Sequence, residues 1–335
     1  MPSESSTQLP APSGAAELAR RPAGGGGSER GLPSETSTQL SAPSGAAELA
    51  RRPAGGGGMI NTTSPVWFIT GANTGFGAAL AHEALLSGAR VVATARNAEQ
   101  IVLDAEPGKV LTTHLDVTDN DAVRDAVAWA INRFGRIDVV VNNAGHGLVG
   151  ALEELSEEQI DEVLAVNLLG AMRVTRAVLP TMRAQRSGTI VQMSSVGGVV
   201  GNPGHSIYAT SKFALEGMSE ALAGEVAPLG IRVLIVEPGP FRTEFAGRSM
   251  TFADAIADYA NTPAGSLRAR FRDQDGVQPN DPARAATIIV QAVGDGSAPL
   301  RLPLGPEAIS RIRTKLSDQL SELDRWEPIG ADTRY

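Results

Sequence analysis

The sequence contains no cysteine, which excludes disulfide bonds, thiolate metal sites and cysteine nucleophiles. It also lacks an uninterrupted apolar run of the ~18 residues that a membrane-crossing helix needs, so we expect no membrane span. The first residues do not combine a basic start with an apolar stretch, as a secretory signal would. We therefore expect a cytoplasmic protein.

Basic charge and histidine are scarce as well. The formal net charge of −8 disfavours a nucleic-acid partner, because such a protein presents a basic face. None of the histidines forms a pair at the spacing typical of metal ligands, so we expect no metal site. Each is more simply interpreted as a structural residue or as the wall of a pocket: His82, His114, His146 and His205.

Residues 2–27 and 33–58 are two copies of one repeat that differ at two positions. Pro, Gly, Ser and Ala dominate both copies, so this segment buries too little apolar surface to offset the entropy of ordering it. We predict a disordered tail over residues 1–58 and a folded domain over residues 59–335. A transit peptide is disfavoured because five glutamates match five arginines in the tail. A partner-binding arm and an addition upstream of a natural start at Met59 both remain open.

From Ser64 onwards, short apolar runs alternate with segments of helical spacing, which predicts an α/β fold: a single domain with a doubly wound, Rossmann-like parallel sheet. The predicted strands are Val66–Thr70, Arg90–Thr94, Val110–Leu115, Ile137–Val141, Gly188–Met193, Ile231–Val236 and Leu300–Leu304. The predicted helices are Gly75–Leu86, Asp121–Phe134, Glu157–Arg186, Ser206–Ala227, Ala283–Val293 and an amphipathic segment within Leu304–Tyr335. Ligands of such sheets bind at the carboxyl ends of the strands, where the strand order reverses.

A glycine-rich turn, Thr70-Gly71-Ala72-Asn73-Thr74-Gly75-Phe76-Gly77, joins the first predicted strand to the first helix. A diphosphate must approach backbone N–H groups at a helix N-terminus, and a Cβ would block it. The spacing TGxxxGxG resembles the cofactor turn of the short-chain dehydrogenase/reductase family, whereas other dinucleotide folds carry GxGxxG. The resemblance implies that the turn contacts a dinucleotide through Gly71, Asn73, Thr74, Gly75, Phe76 and Gly77.

Three later motifs resemble the same family. Asp116-Val117, after the third strand, resembles its adenine contact, and Asn142-Asn143-Ala144-Gly145 resembles the NNAG motif that supports the sheet and lines the cofactor cleft. Pro238-Gly239 and Thr243 resemble the loop that meets the nicotinamide carboxamide. Each motif alone is compatible with an ordinary loop, but four in the family's order are not a coincidence. The implied cofactor residues are Asp116, Val117, Asn143, Ala144, Gly145, Pro238, Gly239 and Thr243.

The end of the second strand bears on the choice of cofactor. An acidic residue usually holds a free ribose 2′-hydroxyl at this point, whereas an arginine accommodates a 2′-phosphate. Ala95 stands where NAD-preferring family members usually carry aspartate, and Arg96 follows it. A guanidinium binds phosphate through paired, charge-assisted hydrogen bonds, so we predict NADP(H) in preference to NAD(H). The alternative is a solvated surface arginine, and the turn offers no second basic residue.

The catalytic motif is Tyr208-Ala209-Thr210-Ser211-Lys212, where tyrosine and lysine share one face of a helix. We expect the ammonium group to lower the tyrosine pKa from about 10. The resemblance implies a tetrad in which Tyr208 is the general acid/base, Ser195 binds the substrate oxygen, Lys212 tunes the tyrosine and holds the cofactor ribose, and Asn167 links a proton relay to solvent. Ser194 is the competing serine. The implied activity is NADP(H)-dependent interconversion of a ketone or aldehyde and an alcohol.

The sequence indicates only the general character of the substrate. Aromatic and methionine residues between Phe241 and Pro279 predict a partly apolar pocket for a bulky ketone or secondary alcohol, or else a helical lid that packs on the core: Phe241, Phe245, Met250, Phe252, Tyr259 and Phe271. The segments Phe213-Ala-Leu-Glu-Gly and Glu237-Pro-Gly-Pro-Phe resemble hydroxysteroid-type and retinol-type members, which does not establish a steroid substrate. We expect the C-terminal segment to shape one side of the pocket.

The resemblance also implies a homodimer or homotetramer, assembled through the helices at Glu157–Arg186 and Ser206–Ala227. Two other functions compete with the reductase. A non-catalytic dinucleotide sensor predicts loss of the tyrosine or the lysine, and both are present. A sugar-nucleotide epimerase or dehydratase predicts a different glycine spacing and a larger C-terminal domain.

Overall fold

The computed structural model describes residues 64–273 and 276–334, so the expected tail over residues 1–58 and the domain start at Met59 lie outside the described residues. Seven strands form one sheet in the order β3-β2-β1-β4-β6-β7-β9, and every neighbouring pair is parallel. These strands are β1 Val66–Thr70, β2 Arg90–Ala95, β3 Val110–His114, β4 Val139–Asn142, β6 Gly188–Met193, β7 Ile231–Pro238 and β9 Arg301–Leu304. The predicted doubly wound parallel sheet is confirmed.

Helices cover both faces of the sheet, which is why its central strands are apolar along their whole length. One apolar core joins the sheet to α1 and α7, with Ile69, Leu80 and Ile289 among its members. The other core joins the opposite face to α2, α4 and α5. The helices are α1 Gly75–Leu86, α2 Asn120–Phe134, α3 Glu157–Leu164, α4 Ala171–Gln185, α5 Ser206–Val226, α6 Pro263–Asp273, α7 Pro282–Gly294 and α8 Pro306–Gly330.

The helix predicted over Glu157–Arg186 is interrupted by a π-helical turn, Ala165–Gly170, between α3 and α4. It ends at Arg186, which has a φ of 56°. Within the described residues, Glu157–Gln185 is one helix whose length and composition would permit it to cross a membrane. Its residues Val174, Val178 and Met182 are fully buried in the core beside the sheet.

One feature between β4 and α7 was not expected from the sequence, and another settles between two interpretations. β5 Gly147–Val149 and β8 Met250–Phe252 form a separate, two-stranded parallel sheet. α6 follows β8 and supplies the helical lid that was one of the two interpretations of this region. At the other strands the ends differ by at most two residues, since β4 begins at Val139 and β7 continues through Pro238.

Strand order reverses between β1 and β4, which are neighbours in the sheet although two strands separate them in sequence. The chain leaves β1 into the glycine turn and leaves β4 into the NNAG segment. The fold therefore brings both segments to the crevice at which doubly wound sheets bind their ligands.

Candidate active site

The turn after β1 is shaped by glycine. Gly71 and Gly75 have φ values of 63° and 55°, in the left-handed region that other residues rarely adopt. A Cβ at Gly77 would overlap the carbonyl oxygen of Gly71. Thr74, the N-cap of α1, makes no side-chain capping hydrogen bond, and the first turn of α1 has no acidic residue. The turn thus leaves backbone N–H groups accessible to an anion at the positive end of a helix.

The NNAG segment holds this turn in place. Asn143 Nδ2 donates to the carbonyl oxygens of Thr70 at 2.9 Å and Gly71 at 3.0 Å. The backbone N–H groups of Asn143 and Ala144 both donate to the Thr70 hydroxyl at 3.0 Å. These bonds tie the end of β4 to the end of β1, which is the support that the motif was expected to give.

Arg96 and Asp116 stand at the outer end of the crevice. Arg96 is exposed, and its guanidinium forms no ion pair within the described residues. Burial would raise the pKa of Asp116, but hydrogen bonds from Thr118 and the charges of Arg96 and His114 outweigh it and lower that pKa. Asp116 Oδ1 accepts from Thr118 N at 2.8 Å and Thr118 Oγ1 at 2.7 Å, which leaves the second carboxylate oxygen for another partner.

Tyr208 and Lys212 lie one turn apart on α5, and both side chains are buried at 6% exposure. Lys212 Nζ donates to the carbonyl oxygen of Met193 at 2.7 Å and lies 5.9 Å from the centroid of the Tyr208 ring. Burial lowers the pKa of Lys212 to about 8, with the charge of Glu216 opposing that change.

The pKa of Tyr208 differs from the sequence-based expectation. Burial raises it to about 12, and the Ser195 hydroxyl group opposes the rise. The expectation considered only the charge of the neighbouring lysine, whereas burial of the hydroxyl group is the larger effect. The protein's own groups therefore hold Tyr208 in its protonated form.

The two candidate serines face different surroundings. Ser195 is half-buried, and its Oγ accepts a hydrogen bond from Gly197 N at 3.0 Å, so its hydroxyl proton is left to donate elsewhere. A Cβ built on Gly197 would lie 3.4 Å from this oxygen and 3.1 Å from Tyr208 Cε1, which makes Ser195 and Tyr208 neighbours. Ser194 is buried, and its Oγ faces Gly198 and Glu216. The geometry favours Ser195.

Asn167 lies in the π-helical turn and is 1% exposed. Its side chain accepts from His146 N at 2.9 Å and donates to His146 O at 2.9 Å and Ser211 Oγ at 3.2 Å. A Cβ at Gly145 would lie 3.0 Å from Asn167 Oδ1 and 3.7 Å from Lys212 Nζ. Asn167 thus connects the segment after β4 to α5, beside the lysine.

Two adjoining cavities occupy the crevice. The first, of 490 Å³, is lined by Gly71, Asn73, Thr74, Gly75, Phe76, Arg96, Asp116, Val117, Asn143, Ala144, Gly145 and Thr243, among others. The second, of 410 Å³, is lined by Ser195, Tyr208, Lys212, Pro238 and Gly239 together with Phe76, Asn143, Gly145 and Thr243 from the first. Of the predicted site residues, Gly77 and Asn167 line neither cavity, but both contact residues that do.

The second cavity has a partly apolar lining. Some residues of the predicted substrate loop contribute to this lining, and others lie elsewhere. Phe241, Phe245 and Phe271 line it, and their rings lie 5.0, 5.6 and 4.9 Å from those of Phe76, Tyr208 and His205, respectively. Met250 and Phe252 belong to β8. Tyr259 donates to Glu153 outside the cavity. The start of α8 forms another wall through Glu307 and Arg311, as expected of the C-terminal segment.

A partly buried charge cluster behind the Tyr–Lys helix was not foreseen. Arg301 lies 3.2 Å from Glu216, 2.8 Å from Glu220 and 3.5 Å from Glu237. Burial, with repulsion from Glu216, raises the pKa of Glu237 to about 7 despite Arg301. The three glutamates are far apart in sequence from Arg301, so no local pattern signals the cluster. Within the described ranges, 64–273 and 276–334, no group of histidine, aspartate and glutamate is arranged to hold a metal ion.

The fold and the paired cavities are those of a dinucleotide-binding oxidoreductase of the doubly wound class. The sequence model of the family described as short chain dehydrogenase matches residues 65–253. Oxidoreductase BOA17 of Botryotinia fuckeliana is 41% identical over 268 residues, which are 79% of this chain and 97% of that protein.

Solved structures agree with the sequence matches. A short-chain dehydrogenase from Streptomyces avermitilis is similar with a TM-score of 0.76 at 41% identity, covering 82% of this chain and all of its own. A metagenomic short-chain oxidoreductase in complex with NADP has a TM-score of 0.56 at 27% identity, covering 72% of this chain and 98% of its own. This chain belongs to the short-chain dehydrogenase/reductase family. It is an oxidoreductase of the kind that uses a nicotinamide dinucleotide.

Proposed function

We propose that this protein is an NADP(H)-dependent oxidoreductase that interconverts a ketone or aldehyde and an alcohol, with Tyr208 as general acid/base. The observation that carries the proposal is the placement of Tyr208, Lys212 and Ser195 on one wall of a cavity that opens into a glycine-lined cradle. When bound, the nicotinamide cofactor supplies the hydride for reduction or accepts it in oxidation.

The residues of the first cavity fit a dinucleotide. A Cβ at Gly77 would overlap Gly71 O and distort the turn, and no side chain caps the N–H groups at the start of α1. We assign the diphosphate to the turn from Gly71 to Gly77, and the adenine to Asp116 and Val117. Asn143, Ala144 and Gly145 line the path to the second cavity, where Lys212 would hold the ribose and Pro238, Gly239 and Thr243 would meet the carboxamide.

Tyr208 would donate its phenolic proton to the substrate oxygen during reduction and take a proton back during oxidation. Ser195 would donate a hydrogen bond to the same oxygen and stabilise the charge that develops on it. Lys212, whose ammonium group is fixed by Met193, favours the phenolate left after proton transfer. Asn167 would position Lys212 and its neighbours for exchange of the proton with solvent. Tyr208→Phe removes the transferable proton and should abolish turnover of any carbonyl substrate.

The preference for NADP(H) rests on Ala95 and Arg96. Arg96 lines the first cavity and forms no ion pair within the described residues, so its guanidinium is available to a 2′-phosphate. The test is a titration of wild type, Arg96→Ala and the exposed control Arg176→Ala with NADPH and NADH, followed by tryptophan emission. We expect tighter binding of NADPH that is lost in Arg96→Ala alone. Equal or tighter NADH binding would overturn the preference, and binding of neither would favour a non-catalytic role.

We further propose that the substrate is bulky and partly apolar, that the enzyme works in the cytoplasm, and that it forms a homodimer or homotetramer through α3–α4 and α5. Aromatic side chains in the second cavity support the first point. Leu169 and Phe213 support the last, because these large apolar residues on the helices concerned are 41% and 45% exposed. Neither a nucleic acid nor a metal belongs to the proposed activity.

A further inference from the structure

The outer wall of the second cavity carries two arginines that the catalytic proposal does not use. Arg270 comes from α6 and Arg311 from α8, and both line the cavity. Arg311 is half-buried and donates to Asn202 Oδ1 at 2.6 Å. Within the described residues neither guanidinium lies within 4.0 Å of a carboxylate. The carboxylate that shares this lining, Glu307, already accepts from Asn280 Nδ2 at 2.9 Å.

These cations act on each other and on the histidine beside the catalytic tyrosine. Burial and the charge of Arg270 lower the pKa of Arg311. Burial, followed by the charges of Arg270 and Arg311, lowers the pKa of His205 to about 4. His205 is therefore neutral near pH 7. Its ring centroid lies 5.1 Å from that of Tyr208, and its Nε2 has no hydrogen-bond partner within the described residues.

We propose that Arg270 and Arg311 bind an anionic group of the substrate, so that the preferred substrates are ketones or alcohols carrying a carboxylate or similar anion beyond an apolar middle. Arg311 is half-buried and Arg270 is exposed; their like charges repel each other, and an anion bound by both relieves that repulsion. An arginine fork pairs with a carboxylate through two parallel hydrogen bonds. The inference rests on the proposed function of the cavity.

The anion in question is not the cofactor diphosphate. Arg270, Arg311 and His205 line only the second cavity, whereas the glycine turn lines the first. Both charges act on His205, whose ring lies 5.1 Å from that of Tyr208, so the proposed anion site belongs to the part of the second cavity beside the tyrosine.

A binding experiment and a turnover experiment together test this proposal. Titration calorimetry would compare phenylbutyrate with the neutral phenylbutyramide on wild type, Arg311→Gln, Arg270→Gln, Arg311→Lys and the exposed control Arg284→Gln. We expect the acid to bind about 10-fold more tightly or better to wild type and the control. That advantage should shrink in both glutamine variants and return in part with lysine. Equal binding of acid and amide to wild type would overturn the proposal.

Turnover separates this proposal from the catalytic one. Benzoylpropionate and its uncharged methyl ester would be offered with NADPH and NADH. We expect a higher kcat/KM for the acid, with the advantage lost in Arg311→Gln. Reduction of the ester at an equal or higher kcat/KM would overturn the anion site and leave the reductase proposal standing. Anion binding without reduction of either compound would support the anion site and overturn the reductase proposal.

An independent feature is the far half of α8, where every residue from Arg313 to Gly330 except the intermediate Lys315 is exposed. Leu316, Leu320 and Leu323 follow one another at helical spacing and are 55%, 59% and 64% exposed. We call these three residues the α8 stripe. Helices in proteins gain most of their stability by packing such a face, so the stripe needs a partner.

Charge identifies that partner. The helix carries Arg311, Arg313 and Lys315 before the stripe, whereas the acidic residues along and beyond it outnumber the one cation there, Arg325: Asp318, Glu322, Asp324 and Glu327. A second copy running antiparallel would place Leu316 opposite Leu323 and bring Arg313 close to Glu327 of the other chain. A parallel copy would set like charges against each other. We infer that the α8 stripe pairs antiparallel with the same stripe of a second copy.

The absence of cysteine allows a direct test, because any introduced cysteine is then the single thiol of the chain. Under mild oxidation we expect Leu320→Cys to form a covalent dimer. A mixture of Leu316→Cys and Leu323→Cys should cross-link more than either variant alone, and Asp318→Cys, on the opposite face, should stay uncoupled. Cross-linking of Leu320→Cys no faster than of Asp318→Cys would overturn the pairing, and efficient self-coupling of Leu316→Cys would show a parallel arrangement instead.

Discussion

The ammonium group of Lys212 donates a 2.7 Å hydrogen bond to the carbonyl oxygen of Met193, the last residue of β6. This bond fixes the lysine between the sheet and Tyr208. Since burial lowers the pKa of Lys212 to about 8, the ammonium form prevails below that pH. In the proposed mechanism this ammonium group would stabilise the Tyr208 phenolate that remains after proton transfer.

Replacing Lys212 by methionine should lower kcat by roughly 10²–10⁴-fold, the usual range for an acid–base contribution. The change removes the ammonium group and leaves Met193 O without its donor. The rising limb of the alcohol-oxidation pH profile, where Tyr208 loses its proton to become the base, should move to higher pH, because Tyr208 then loses its neighbouring cation. Steady-state rates between about pH 6 and 10 would show this, with Lys109→Met, a half-buried lysine that pairs with Glu106 and lines neither cavity, as the control. An unchanged profile would remove Lys212 from the mechanism.

Gly77→Ala should abolish cofactor binding and destabilise the fold, because the new methyl group would overlap Gly71 O and crowd Asn143 Nδ2. Gly224→Ala is its matched control: Gly224 lies within α5, and nothing lies within 4 Å of a Cβ built there. The control should stabilise the protein by about 0.5–1 kcal/mol through helix propensity. Urea unfolding and cofactor titration measure both effects. Comparable behaviour of the two variants would show that the cradle tolerates a side chain.

Sequence reasoning located the cradle and the Tyr–Lys helix because both depend on local spacing. Gly71 to Gly77 occupy one turn, and Tyr208 and Lys212 occupy neighbouring turns of one helix. The π-helical turn was not visible in the same way, since it accompanies hydrogen bonds between Asn167 and the distant His146. Arg270 and Arg311 escaped notice because they reach the cavity from α6 and α8, far along the chain from Tyr208.

The direction in which the Tyr208 pKa shifts shows a second limit of sequence-based prediction. An i, i+4 spacing reveals that a lysine stands nearby, which favours a lowered pKa. It does not reveal how much water the fold removes from the hydroxyl group, and here that burial dominates. Local pattern identified the pair of residues, whereas tertiary packing set their protonation.

His205 should make the protein sensitive to acid. Burial, together with Arg270 and Arg311, lowers its pKa from 6.5 to about 4, so the unfolded chain binds a proton between these values that the folded chain does not. Stability is then lost as the pH falls from about 6.5 to 4, by up to ~3 kcal/mol. His205→Phe should remove this component, whereas His82→Phe, at an exposed position, should not. Unfolding free energies measured at pH 7 and 4.5 test this prediction. An equal loss of stability in wild type and in His205→Phe would contradict the assignment to His205.

Glu237 should have the opposite pH dependence. Burial and Glu216 raise its pKa from 4.5 to about 7, so the folded chain holds a proton that the unfolded chain has released. Stability from this group is complete below about pH 4.5 and falls by roughly 1–3 kcal/mol as the pH rises to 7. Glu237→Gln stays neutral at every pH and keeps a similar shape. Relative to wild type, it should therefore gain stability between pH 5 and 8.

Glu220→Gln provides the comparison for that measurement, because Glu220 contacts the same Arg301 but is 62% exposed. It should change the unfolding free energy little at either pH, as exposed ion pairs contribute about 0–1 kcal/mol. A Glu237→Gln variant that is less stable than wild type at pH 8 would mean that Arg301 requires a charged Glu237. In that case the ionised form of Glu237 holds together the cluster behind α5.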